Sequence, residues 1–382
     1  MATLDVRGVR KTYGRTTALH GLDFEVGSGE FFVILGPSGA GKTTTLKSVA
    51  GLVDIDAGQV SIGGRDMTGV EPYHRNVGMA FESYALYPQK TVSQNLASPL
   101  SSGRTGSYSE AQQKERIDAV TTTLGINHLL DRFPRELSNG QRQRTALGRV
   151  LVRPADIYLL DEPLSHLDAK LRASMRAELK TLGSMSDTTT LYVTHDYQEA
   201  LALGDRIAVL RDGQLVQVDT PEEIWKRPAD TFVARALGQP EMNLVDAIVD
   251  DGRVRFASGL AEFPAPPSLD LTSGQRVRLG LRPRELMVGS ENVGHDWLDI
   301  PGKVLLSERL GRHVELDVEA GSDQLIAVSG SDHAPREGDA VTLQIHLPNV
   351  HIFDAADAAD TDTARIGSAT GDRPATREQE TR

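Results

Sequence analysis

The chain has 382 residues, more than one ordinary domain holds, so two domains are the starting expectation. Its formal net charge of −12 argues against broad electrostatic binding to nucleic acid or anionic lipid, and the absence of cysteine excludes disulfides, thiolate catalysis and cysteine-ligated metals. Met1 to Tyr13 carries charges throughout in place of the apolar stretch of a signal peptide. Nowhere do about 18 uncharged apolar residues run together, so no transmembrane helix is expected.

Phe31–Leu35 (FFVIL) is a short apolar run ending at Gly36, the pattern of a buried central strand. Residues 157–160 (IYLL) before Asp161 and 191–194 (LYVT) before His195 repeat it. Each run leads into a predicted helix, over 43–51, 169–183 and 197–204, with a glycine marking each C-terminal end. Strands alternating with helices predict an α/β fold with a mostly parallel, helix-covered sheet. That rhythm breaks over about 88–150, where a Gly/Ser-rich loop at 101–109 precedes a helical stretch at 110–124; we read a helical insertion there. After the apolar run 207–210, Asp212-Gly213 predicts a hairpin turn, and Thr220-Pro221-Glu222-Glu223 a capping box with proline at the first helical position.

The composition changes near Gly238. Short alternating runs such as Arg276–Leu281 (RVRLGL), 314–318 (VELDV) and 341–345 (VTLQI), separated by turn residues, predict a small β-barrel over 238–354. Residues 355–382 are rich in Ala, Asp and Thr with almost no large apolar side chains, and a disordered tail is expected.

Gly36-Pro37-Ser38-Gly39-Ala40-Gly41-Lys42-Thr43 matches the phosphate-binding loop pattern. Its glycines let the backbone curl so that N–H groups point inward at an anion. Lys42 would then reach the β- and γ-phosphates, the Thr43 hydroxyl would hold Mg²⁺, and the helix that follows, with Thr44, aims its positive end at the same place. A plain glycine-rich turn is the alternative; the strand before and the helix after argue against it. Asp161-Glu162 ends another apolar run, where a carboxylate can contact Mg²⁺ through water. Glu162 is placed to take a proton from an attacking water, a role typically worth about 10²–10⁴-fold in rate. By itself the acidic pair could equally cap the next helix.

Together these residues resemble the ATP-binding subunits of ABC transporters, over roughly residues 3 to 235. Residues 137–141 (LSNGQ) are similar to the family signature, 165–168 (SHLD, ending in Asp168) to its D-loop, and His195 to its switch histidine. Tyr13 stands where the family has an aromatic residue that stacks on adenine, a contact worth about 1–3 kcal/mol in nucleic-acid cases. Taken singly, Tyr13 could be ordinary packing, His195 a strand cap, and Ser138-Asn139-Gly140 a turn before a helix. Their occurrence in the family's order makes coincidence negligible.

The resemblance implies an ABC-type P-loop ATPase that uses ATP and Mg²⁺, with Lys42, Glu162 and His195 as catalytic residues. It implies two ATPs sandwiched between head-to-tail subunits, each meeting the Lys42 loop of one chain and Ser138, Asn139, Gly140 and Gln141 of the other. With one complete set of motifs, the chain needs a second copy or a related ATPase subunit. Two transmembrane permease subunits and, indirectly, a solute-binding protein are implied as partners, with no nucleic acid, and the chain itself is expected at the cytoplasmic side of the membrane as a peripheral subunit. Residues 83–88 (SYALYP) resemble the sugar-importer branch, and 237–245 (LGQPEMNLV) and 279–286 (LGLRPREL) its OB/TOBE-like regulatory extension. A sugar or polyol cargo follows from that likeness, although importers of polyamines, iron and glycerol phosphate carry similar domains.

Two positions depart from the family. Glu82 replaces the Q-loop glutamine that would help hold Mg²⁺; a carboxylate there would bind the ion as an anion and, unpaired, repel the γ-phosphate. Asn139 replaces the first signature glycine and adds a side chain near the partner's γ-phosphate. A working ATPase with altered timing and one half of a heterodimer both accommodate these changes. The presence of Lys42, Thr43, Asp161, Glu162 and His195 favours the first. A soluble ABC protein of translation or DNA repair is disfavoured by the acidic balance and the lack of a second cassette. A regulatory subunit without turnover is disfavoured by Glu162 and His195, and an exporter by the lack of fused membrane helices.

Overall fold

The computed structural model describes residues 2–81, 86–101, 108–165, 167–186, 188–289, 294, 296–330, 334–355 and 362–372. They form two compact units, Met1–Pro221 and Glu222–Arg382.

The first unit opens with an antiparallel sheet. β1 (Leu4–Tyr13) pairs with β2 (Thr16–Val26) and with β4 (Ala57–Ile62), which carries the short β5 (Arg65–Asp66), in the order β2-β1-β4-β5. The predicted apolar runs build a second sheet from β3 (Phe31–Leu35), β6 (Val77–Ala80), β7 (Ile157–Asp161), β8 (Thr189–Thr194), β9 (Arg206–Arg211) and β10 (Gln214–Asp219). Its order is β10-β9-β3-β8-β7-β6, parallel from β9 to β6. β3, β7 and β8 are buried at every position, which is why they read as unbroken apolar runs and not as alternation. β10 returns antiparallel through Asp212-Gly213, both at positive φ (47° and 72°), as a type I′ hairpin requires. The Phe24 and Phe32 rings stack at 5.4 Å between the two sheets.

α1 (Lys42–Ala50) stops at Gly51, which adopts the left-handed conformation and donates to the Lys47 and Ser48 carbonyls. α2 (Val92–Ala97), α3 (Glu110–Thr123) and α4 (Asn139–Leu151) each begin with a reciprocal capping box, at Thr91, Ser109 and Ser138. They fall in the span read as a helical insertion. α5 (Ala169–Ser186) runs through Gly183, where its end had been expected. One interior glycine costs only about 1 kcal/mol relative to alanine, too little to stop a helix by itself. α6 (Tyr197–Leu203) does end before Gly204, but with that glycine in an extended and not a left-handed conformation.

The boundary falls at the start of α7 (Pro221–Lys226); the second unit holds the rest of that helix and α8 (Thr231–Ala236) and continues as all-β. One curled antiparallel sheet joins β11 (Asn243–Asp250), β12 (Arg253–Phe256), β13 (Glu262–Pro264), β14 (Arg276–Leu281), β20 (His351–Asp354) and β21 (Arg365–Ser368). The other joins β15 (Met287–Val288), β16 (Trp297–Leu310), β17 (His313–Ala320), β18 (Asp323–Gly330) and β19 (Ala340–His346). Strands of both contribute to one core that includes Val254, Phe256, Leu279, Leu281, Ile300, Leu316, Ile345 and Ile352. Residue-by-residue alternation in β17 shows the one-sided burial its sequence predicted.

The expectation of a disordered tail fails for residues 362–372. There β21 adds to the edge of β20, and the Arg365 side chain, only 1% exposed, pairs with Asp372 at 3.0 Å. Low apolar content concealed this because ladder bonds and an ion pair hold much of the segment, with Ile366 and Ala369 as its contribution to the hydrophobic core. Burial pulls the Arg365 pKa below its ordinary value, with Asp372 opposing. We expect Asp372→Ala to lower stability by about 1–2 kcal/mol in chemical denaturation, less than for a fully buried pair because Asp372 is partly exposed.

Candidate functional site

The parallel strands β3, β7 and β8 end side by side, and the chain leaves each of them through a segment singled out in the sequence. After β3 the 36–43 loop wraps back on itself. A Cβ on Gly36 would lie 2.4 Å from the Leu210 carbonyl oxygen, and one on Gly41, where φ is 102°, 2.7 Å from that of Ala18. Only glycine fits both close approaches. Lys42 is 5% exposed, and its Nζ donates to the Gly36 and Pro37 carbonyls at 2.9 and 3.0 Å. The loop therefore closes around its own ammonium.

After β7, Asp161 is buried and its Oδ1 accepts from the Thr43 hydroxyl at 3.1 Å. Glu162 adopts a left-handed backbone, φ 43°, with its N–H donating to the Val193 carbonyl at 3.1 Å. Its carboxylate lies between two partners. Oε1 is 3.3 Å from Lys42 Nζ, and Oε2 is 2.7 Å from His195 Nδ1. His195 follows β8 and is 57% exposed. Beneath it, Glu199 Oε2 accepts from the Tyr192 and Thr194 hydroxyls, both at 2.8 Å. Burial raises the Glu199 pKa above its ordinary value, against these hydrogen bonds, and burial with the Glu199 charge raises that of Tyr192.

Other predicted residues sit apart from this cluster. Ser138 Oγ accepts from Gln141 N at 3.3 Å while Gln141 Oε1 accepts from Ser138 N at 2.9 Å, which fixes the start of α4. Asn139 Oδ1 accepts from Arg142 Nη2 at 2.7 Å. A Cβ on Gly140 would lie 2.8 Å from Leu171 Cδ2, so this glycine serves close packing and not a special φ. Asp168 Oδ1 accepts from Leu171 N at 2.9 Å and caps α5. Tyr13, at the end of β1, is 47% exposed with Lys11 Nζ 5.4 Å from its ring centre. Ser38, Gly39 and Ala40 lie in the loop, and Thr44 in the first turn of α1. Among the described residues, no hydrogen bond or ion pair links the 138–141 segment to the 36–43 loop. Glu82 and residues 83–85 of the SYALYP stretch lie outside the described residues.

Sequence reading passed over Glu199, Arg142 and the Leu171 contact. The four-residue spacing from His195 to Glu199 was visible, but nothing local marks a carboxylate that turns inward.

A phosphate-binding loop, a hydroxyl on a buried carboxylate and a glutamate–histidine pair at adjacent strand ends define a P-loop nucleotide triphosphatase. Comparison with known proteins narrows the class. The ABC transporter family model matches residues 19–165, and the TOBE domain model residues 299–352. The sn-glycerol-3-phosphate import ATP-binding protein of Cereibacter sphaeroides is 43% identical over 356 residues, 93% of this chain and 98% of that protein. The trehalose/maltose import ATP-binding protein of Thermococcus litoralis is 41% identical over 369 residues, again 93% and 98%. The ATP-binding cassette MJ0796, solved as a dimer in a post-hydrolysis state with ADP and Pi, superimposes with a TM-score of 0.53 at 29% identity, over 57% of this chain and 98% of that one.

The chain belongs to the ATP-binding subunits of ABC-type importers. It is an ATPase, and among the described residues no helix is long and apolar enough to cross a membrane.

The raised Glu199 pKa carries a pH dependence. Its stabilising contribution is largest below the unfolded value near 4.5 and declines as pH rises toward the folded one, because ionising a buried carboxyl disfavours the folded state. Urea denaturation of wild type and Glu199→Gln should therefore show the variant gaining relative stability from pH 4.5 upward; a pH-independent difference would contradict this.

Proposed function

We propose that the chain hydrolyses ATP with the strand-end cluster, as one half of a head-to-tail ATPase dimer that powers uptake of a sugar or polyol through separate permease subunits. The observation that carries this reading is the Glu162 carboxylate, 3.3 Å from Lys42 and 2.7 Å from His195. The backbone of residues 36–44 and Lys42 hold the triphosphate, Tyr13 stacks on the adenine, and Glu162 takes the proton of the attacking water, with His195 beside it. A general base needs a positioned acceptor next to where charge develops, and Glu162 is that acceptor.

Thr43 and Asp161 suit Mg²⁺. The donors are hard oxygens, one neutral and one anionic, and Mg²⁺ is commonly held by one or two protein oxygens together with phosphates and water. When bound, the ion neutralises phosphate charge.

Ser138, Asn139, Gly140, Gln141 and Asp168 complete the nucleotide site of the partner subunit. Their side-chain bonds are local, within the starts of α4 and α5, and this is compatible with the assignment. The permease subunits place the chain at the cytoplasmic face of the membrane, with a solute-binding protein acting indirectly. The cargo class rests on relatives named for glycerol-3-phosphate, trehalose/maltose and sulfoquinovosyl glycerol, all polyol or sugar derivatives. Asn139, held by Arg142, is compatible with turnover by a homodimer.

Steady-state ATPase assays test the catalytic assignment. Glu162→Gln should lower kcat by about 10²-fold or more with nucleotide binding retained, while unchanged turnover would exclude Glu162 as the base. In the assembled transporter, Glu82→Gln should alter the ATPase rate or its coupling to uptake; identical coupled transport with either residue would remove any functional role for the departure.

A further inference from the structure

Two segments that the sequence presents separately meet at one guanidinium. Arg172 lies in the first turn of α5. Its Nη2 reaches back to the Leu167 carbonyl at 3.2 Å, in the loop that ends with Asp168. Its Nη1 reaches across to Asp196 Oδ2 at 3.1 Å, on the residue directly after His195.

Asp196 is fixed on its other side as well. Oδ1 accepts from the Gln198 and Glu199 N–H groups at 2.8 and 3.3 Å, capping α6. Its own N–H donates to Thr194 Oγ1 at 2.9 Å, and that hydroxyl donates to the buried Glu199. The turn that carries His195 is therefore anchored to α6 from within and, besides the Glu162–His195 contact, tied to the loop before α5 through Arg172. Arg172 and Asp196 are partly shielded, with side chains 29% and 17% exposed, so the pair is less screened than a surface one. A planar guanidinium can hold two acceptors in fixed directions at once, which an ammonium cannot reproduce.

We propose that Arg172 is a positioning residue that couples the loop ending in Asp168 to the turn carrying His195. Movement of that loop against a partner subunit then reorients His195 and, through the 2.7 Å contact, Glu162. This rests on the head-to-tail dimer proposed above, in which Asp168 belongs to the partner-facing surface.

The test compares full-length wild type, Arg172→Met, Asp196→Asn, their double variant and Arg172→Lys. Lys180→Met serves as control, because it removes a different tie between α5 and α6, the 3.0 Å bond from Lys180 Nζ to the Ala202 carbonyl. Arg172→Met and Asp196→Asn should each lower kcat about tenfold or more with the KM for ATP and Tm nearly unchanged. The double variant should lose no more than either single one, since both break the same link. Arg172→Lys should recover part of the loss, and Lys180→Met should stay within about twofold of wild type. Additive losses, an equal loss in Lys180→Met, or full activity in Arg172→Met would overturn the proposal. A second readout does not depend on turnover. The His195 ring resonance, assigned by its loss in His195→Gln, should shift in Arg172→Met and Asp196→Asn but not in Lys180→Met; an unmoved resonance in Arg172→Met also overturns it. Wild-type turnover that Glu162→Gln fails to remove would count against the proposed catalytic assignment and not against Arg172.

Discussion

The site depends on holding a glutamate in a backbone conformation that side chains other than glycine's disfavour. Glu162 sits at φ 43°, a left-handed position that costs on the order of 1–3 kcal/mol unless its surroundings enforce it. They do so from three sides. Its N–H bonds the Val193 carbonyl of the neighbouring strand, its own carbonyl accepts from Ser165 N and Oγ, and its carboxylate is held between Lys42 and His195. The sharp turn projects the carboxylate beyond the strand end instead of along the sheet, where it can meet both partners.

The parallel sheet makes that arrangement possible. Pairing of β7 with β8 and of β8 with β3 brings residues far apart in the chain to one edge: Lys42 after β3, Glu162 after β7 and His195 after β8. Strands buried on both faces leave little freedom of register, so the three side chains arrive at a common level. Glycine contributes through close approach. Gly36 and Gly41 let the loop pass against the Leu210 and Ala18 carbonyls, and Gly140 lets α4 pack against Leu171.

The second unit uses buried charge differently. Arg282 lies over the Trp225 ring at 3.7 Å and donates to the Trp225 carbonyl at 2.8 Å, and burial lowers its pKa to about 10. His351, desolvated and facing the positive charges of Arg282 and Arg365, has its pKa lowered to about 3 and stays neutral at physiological pH. Such groups are retained where directional bonds to backbone and carboxylate fix helices and the terminal strand onto a β core, a task apolar packing alone performs with less geometric precision.

The apolar runs, the phosphate-loop glycines with Lys42, the acidic pair and His195 were legible in the sequence because each obeys a local rule. Strand burial writes itself as composition, turns demand particular residues, and phosphate chemistry demands particular spacings. The Asp212-Gly213 turn belongs to the same class. The sequence could not show that Glu162 contacts Lys42 and His195 simultaneously, that Arg142 occupies Asn139, that Glu199 turns inward beneath the histidine, or that residues 365–368 extend a sheet. Nor could it show that α5 continues past Gly183. Each of these depends on groups brought together from separate segments, or on a local cost outweighed by packing around it. Local chemistry determined which residues could act on a nucleotide; only the pairing of parallel strands decided which of them touch.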